Sequence, residues 1–126
     1  MDLGSHKSFI KKHYEEYKKI GYVECPAFEC EKIYFNKVGF NHLLWKGKKM
    51  RKPEEQTRRI KLISYAIQII SSSKSFAEYR ENKIILANGS ISHAYFWSFS
   101  YYKNKREIRV IIRQTNNSRK YFMSVM

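Results

Sequence analysis

A chain of 126 residues, 43% hydrophobic and 16% aromatic, is long enough for one domain with a modest core and too short for two. It is also too apolar to be a disordered basic tail. Twenty-five Lys and Arg against 11 Asp and Glu leave a formal charge of +14, a self-repulsion that a polyanion relieves; no apolar run approaches the ~20 residues of a membrane span. Nucleic acid is therefore the leading partner, ahead of an acidic membrane surface, for which no helix offers a broad apolar face, and of an acidic protein.

In chain order, residues 1–126 read as a single domain whose first five residues are a disordered or appended start without function. No secretory leader is expected, because "MDLGSHKSFIKKHYEEYKK" has no apolar stretch after its start. Residues 6–20, "HKSFIKKHYEEYKKI", predict an amphipathic helix with Phe9, Ile10, His13, Tyr17 and Ile20 near one face, stopped by Gly21. In "ECPAFEC" a disulfide between Cys25 and Cys30 would close a short loop and a metal site would need two more ligands that are missing nearby, so the expectation is two reduced thiols in an intracellular protein. "KIYFNKVGFNHLLWKG" mixes β-branched and aromatic residues between glycines and reads as an extended, bent segment rather than a helix.

A second helix is expected from Pro53 to the serine run, with Glu54 and Glu55 in its first turn and Ile60, Ile63, Ile67 and Ile70 at helical spacing. Short β-rich runs follow, separated by "ANGS", "KNK" and "TNNS", which suit tight hairpins. The expected class is α+β, with N-terminal helices packed on one face of a four-stranded antiparallel sheet.

The closing strand supplies the chemistry. Alternation along 106–113 sets Ile108, Val110 and Ile112 toward the core, and Glu107, Arg109, Ile111 and Arg113 toward the open face. Arg109 and Arg113 then stand roughly 13 Å apart by strand rise, a spacing suited to successive phosphates or to simple solvation of the face. In "SHAYFWSFSYY", Trp97 and Phe99 read as core, while Tyr101 and Tyr102 suit either solvent or a stacked base. Arg58 and Arg59 lie in the half of a helix whose dipole disfavours cations, so they pair with Glu54 and Glu55 or await a phosphate. His42, in "GFNHLLW", is either a satisfied structural residue or a proton acceptor near neutral pH; His93 is a reserve candidate, and His6 and His13 carry little signal.

Taken together, "FNHLLWKGKKMRKPEEQTRRIKLISYAIQII" and "REIRVIIRQTNNSRKYFMSV" resemble the phage- and mobile-element-borne nucleases grouped as Barnase-EndoU-colicin-RelE-like (BECR), over about residues 33 to 126. The resemblance implies N-terminal helices on a four-stranded antiparallel sheet. It also implies a toxin-like endoribonuclease that works without metal or cofactor, with tRNA the favoured substrate. Products would carry 2′,3′-cyclic phosphate and 5′-hydroxyl ends.

Carried across by position, the resemblance makes His42 the base, Arg58 or Arg59 the helical arginine, Arg113 the strand arginine and Ser124 the terminal serine; the general acid would be Tyr101 or Ser124. Arg59, Arg109, Lys46, Lys48 and Lys49 are expected to bind RNA. It further implies an acidic immunity protein or antitoxin as partner and a cytoplasmic site of action, reached within a larger secreted or phage protein. A non-catalytic RNA- or DNA-binding module of a mobile element is the alternative, and an interaction protein meeting an acidic partner the third reading. Whether Arg113 and Ser124 share a face depends on a hairpin register that "TNNSRK" leaves open.

Overall fold

The computed structural model describes residues 3–126. Met1 and Asp2, where a disordered or appended start was expected, lie outside the described residues, and helix α1 (Leu3–Lys18) already includes Gly4 and Ser5. Its apolar face settles on the core through buried Tyr17, with Phe9, Ile10 and Tyr14 partly buried against the same cluster. Gly21, at φ +69°, then turns the chain back, a conformation in which a residue without Cβ is least strained.

Strands β1 (Tyr22–Cys25) and β2 (Glu31–Tyr34) form an antiparallel pair around a 3-10 turn at Pro26–Phe28. Cys25 is fully buried in the core and Cys30 is exposed. The segment read as extended is instead β2 followed by helix α2 (Lys37–Leu44). Asn36 starts that helix by accepting a hydrogen bond on Oδ1 from the Gly39 N–H at 3.3 Å, and Phe40 and Leu43 bury one turn apart on one side. Strands β3 (Trp45–Lys46) and β4 (Lys49–Met50) then make a small exposed hairpin.

The helix expected from Pro53 onward is two, α3 (Pro53–Lys61) and α4 (Ile63–Ser72). The break falls at Leu62, whose N–H bonds the Arg59 carbonyl at 3.1 Å in a tightened last turn. Beyond them β5 (Glu78–Ile85), β6 (Ile91–Lys103), β7 (Arg106–Thr115) and β8 (Tyr121–Val125) run as an antiparallel meander. Asn104 and Lys105, both with positive φ, make the two-residue turn between β6 and β7.

The sheet has six strands, not four, in the order β1-β2-β8-β7-β6-β5. β2 joins the meander parallel to β8 through the single pair Tyr34 and Tyr121, supported by a bond from the Tyr34 N–H to the Lys120 carbonyl at 3.0 Å. Two four-residue strands far from β8 in sequence carry no local sign of that pairing. One face of the sheet holds Trp97, Phe99, Ile108, Val110, Ile112 and Phe122 in a core shared with Ala66, Ile69 and Ile70 of α4. No described helix is long and apolar enough to cross a membrane.

Candidate active site

Helix α2 approaches β8 at a glycine. A Cβ on Gly39 would fall 2.3 Å from the Phe122 carbonyl oxygen, so this contact exists only because the position carries no side chain. One turn later α2 presents His42, which is half-buried. Burial, and then the guanidinium groups of Arg51, Arg59 and Arg113, hold its imidazole below the ordinary value of 6.5. Three cations from three different parts of the chain thus act electrostatically on one histidine, and no described residue hydrogen-bonds either of its ring nitrogens. Arg51, in the link between β4 and α3, donates from Nε to the His42 carbonyl at 3.1 Å, tying that link to α2.

Arg59 comes from the buried side of α3, beside Gln56 and Ile60. Its Nε donates to Glu55 Oε1 at 2.7 Å, and its Nη1 donates to Ser124 Oγ at 3.2 Å and to the Val125 carbonyl at 3.5 Å. The same carboxylate accepts two bonds from Arg58, at 2.8 and 3.2 Å. Arg58 and Arg59 together hold Glu55 down at about 2. Of the two helical arginines, Arg59 is the one whose charge bears on His42, while Arg58 stays on the exposed side of α3.

Gln56 ties three helices together. Its Nε2 donates to the Leu44 carbonyl at 3.0 Å, so its Oε1 is the acceptor for His6 Nε2 at 2.7 Å. Buried His6 on α1 thereby fixes both the end of α2 and the first turns of α3, a role its sequence position among lysines does not advertise.

The register of the last hairpin sets Arg113 opposite Tyr121 and Ile111 opposite Ser124, with a bulge between Ile111 and Ile112. Met123 is the extra residue, so Ser124 rather than Met123 faces the same way as Ile111 and Arg113. Arg113 Nε donates to Tyr121 Oη, and its guanidinium lies 5.1 Å from the centre of the Tyr121 ring. Neither Arg113 nor Arg51 has a carboxylate within ion-pair reach among the described residues.

Other expected residues fall elsewhere. Tyr101 pairs with Ile108, a core-face residue, and is half exposed at the far end of β6. It is five residues along the strand from Phe96, which pairs with Arg113, hence roughly 17 Å away and on the opposite face. His93 lies three residues from Phe96 and also faces away from Arg113. Arg109 is engaged by Glu78 at 2.8 Å and Glu107 at 3.6 Å. Lys46, Lys48 and Lys49 are exposed on the β3–β4 hairpin, next in chain to Arg51.

Arg51 and Tyr121 are the residues that sequence reasoning missed. For Arg51 nothing local separates it from its basic neighbours; for Tyr121 the signal was its place eight residues after Arg113 across a turn.

Among the described residues no three His, Cys, Asp or Glu side chains converge where they could hold a metal ion. What the fold provides is an imidazole held below its ordinary value, three guanidinium groups whose charge it feels and a buried hydroxyl bonded to one of them, an arrangement that can accept a proton and hold an anion. The chain matches no protein-family model, and no curated protein or solved structure is significantly similar to it.

Proposed function

We propose that the chain is a metal-independent endoribonuclease of the Barnase-EndoU-colicin-RelE-like kind, a toxin domain with tRNA as its favoured substrate. The observation that carries this reading is His42, half-buried, with Arg51 bonded to its carbonyl at 3.1 Å and its imidazole held below 6.5 by burial and by the charges of Arg51, Arg59 and Arg113. A base must be unprotonated to act, and a phosphate must be met by cations; one cluster answers both needs.

In this reading the RNA phosphate sits against Arg59, Arg113 and Arg51. His42 takes the proton from the 2′-hydroxyl, the 2′-oxygen bonds to phosphorus, and the bond from phosphorus to the 5′-oxygen breaks. Negative charge that grows on the non-bridging oxygens is held by the guanidinium groups, and fully buried Ser124, whose Oγ accepts from Arg59 Nη1, keeps that guanidinium in place from behind. The leaving 5′-oxygen needs a proton. Tyr121 replaces Tyr101 as its source, because its Oη accepts from Arg113 Nε and its phenol proton is not used in that bond. A cyclic 2′,3′-phosphate and a 5′-hydroxyl end result. The site acts in the cytoplasm, and an acidic immunity protein or antitoxin covers the cationic cleft, with the opposed charges speeding association.

The test is incubation with tRNA and a structured messenger RNA in excess EDTA, with wild type beside His42→Ala and Arg113→Ala. Discrete fragments ending in cyclic phosphate, lost in both variants while the fold is retained, are expected. RNA left intact but retarded on a native gel would overturn the nuclease reading in favour of a basic binding module.

A further inference from the structure

One residue from each strand forms an unbroken row across the sheet. Cross-strand pairing runs from Arg80 to Phe96, from Phe96 to Arg113, from Arg113 to Tyr121, from Tyr121 to Tyr34, and from Tyr34 to Tyr22. Directly paired residues share a face, and the residues beside this row, Ile33, Ile112 and Phe122, belong to the core on the other face. The row therefore lies on the side away from the α4 core, and its middle pair, Arg113 and Tyr121, belongs to the site already described.

Every ring in the row has a cation over it. Arg80 lies 6.0 Å from the centre of the Phe96 ring, Arg113 5.1 Å from Tyr121, Arg119 4.5 Å from Tyr34, and Lys32 4.5 Å from Tyr22. None of these four cations has a carboxylate within ion-pair reach among the described residues, although Arg58, Arg59, Arg109 and Lys120 do. Tyr22 is 45% exposed and Phe96, Arg113 and Tyr34 are half-buried, while Tyr121 is only 8% exposed, so the rings that can take a base are those that flank the central pair. Mere solvation of a sheet face would not line up rings and unpaired cations strand by strand. Rings give unpaired bases a stacking surface, and unpaired guanidinium and ammonium groups meet the backbone phosphates between them.

We propose that this row is a track for single-stranded RNA, crossing the strands at right angles and carrying the nucleotides on both sides of the scissile phosphate. At about 4.8 Å per strand the row is roughly 24 Å long. Phe96 and Arg80 hold the chain on one side of Arg113, and Tyr34 and Tyr22 hold it on the other. The substrate class is thus an unpaired RNA segment, such as a loop, because bases locked in a duplex offer no free face to the rings. The inference rests on the RNA reading of the central site, but not on cleavage.

The experiment measures binding of a single-stranded RNA methylated at its 2′-oxygens, which cannot supply the attacking hydroxyl, against the same sequence as a duplex. Wild type should bind the single strand at least tenfold more tightly. Phe96→Leu, which keeps bulk in the sheet, and Tyr22→Ala, at an exposed edge strand, should each weaken single-strand binding about tenfold, the scale of one lost stack. Tyr101→Ala, on the other face, should stay within twofold. Equal binding of duplex and single strand, or ring variants that bind like wild type, would overturn the track even if His42-dependent cleavage is real. Normal ring dependence with no cleavage of unmethylated RNA would uphold the track and sink the nuclease reading. Absence of any RNA binding at low salt would overturn both and leave the cationic face to an acidic protein.

Discussion

Gly39 and Phe122 stand closer than any residue with a side chain would permit. A Cβ at position 39 would meet the Phe122 carbonyl oxygen at 2.3 Å, its ring Cδ2 at 2.8 Å and Tyr17 Oη at 3.0 Å. The first of these is backbone in a strand paired to β7, so it cannot swing aside as a flexible side chain would. Gly39→Ala must push α2 off β8, at a cost of about 1–3 kcal/mol for overpacking, and His42 moves with the helix. The expected outcome is a lower melting temperature and a loss of cleavage that persists at temperatures where the variant is still folded. Wild-type melting and wild-type cleavage together would refute the tight contact.

The depressed His42 value makes a signed prediction about pH. Since burial and three cations lower the pKa below 6.5, the base stays competent below that pH, and the acid limb of kcat/KM should fall there, reporting the free protein. Arg51→Met removes one of the three charges, so the limb should move up toward 6.5. A limb that ignored this change would separate Arg51 from His42. Stability carries the same sign. As pH drops through 6.5, the unfolded chain takes up a proton that folded His42 still resists, so the folded state loses stability from there down to the lowered value.

Much of this architecture is written locally, and the site is not. Ile108, Val110 and Ile112 point inward as their alternation says, and Pro53 with Glu54 and Glu55 begins α3. The six-stranded sheet was hidden because β1 and β2 are short and meet β8 only through Tyr34 and Tyr121, a pairing decided by tertiary packing. Helix α2 was mistaken for extended chain because Val38, Phe40 and Trp45 look β-like, whereas the Asn36 cap and the spacing of Phe40, Leu43 and Leu44 were the better guide. His42, Arg113 and Ser124 could be named from the chain. That the arginine reaching Ser124 is Arg59 and not Arg58 follows from one residue of helical phase: Arg59 lies on the side of Gln56, Ile60 and Ile63, all turned inward.

That phase gives a sharp contrast between neighbours. Arg59 is 9% exposed and bridges Glu55 to Ser124, whereas Arg58 spends its bonds on Glu55 at the surface. Arg59→Lys keeps the charge but cannot reproduce the fork that spans both partners. Its kcat should fall about 10²–10³-fold, the scale of one lost donor to developing charge. Arg58→Ala should leave kcat within about threefold, since an exposed ion pair contributes little. Equal losses in the two variants, measured as single-turnover cleavage rates, would mean that phosphate is not held from the buried side of α3.

Tyr17 anchors the start of α2 from the opposite side. Its Oη donates to the Asn36 carbonyl at 2.6 Å, and Asn36 is the residue whose side chain caps the helix that carries His42. Burial raises the Tyr17 hydroxyl well above its ordinary 10.0. An acid whose folded value is raised contributes stability that is complete below the unfolded value and is lost as pH climbs past 10.0, because the unfolded phenol ionises first. Tyr17→Phe should cost about 1 kcal/mol at neutral pH for the lost bond, the Asn36 carbonyl keeping its bond from the Phe40 N–H at 3.5 Å. In return its stability should decline less steeply above pH 10. Denaturant melts of both proteins at neutral and alkaline pH decide the matter: curves that stay parallel across that range would show that Tyr17 ionises as freely in the folded protein as outside it.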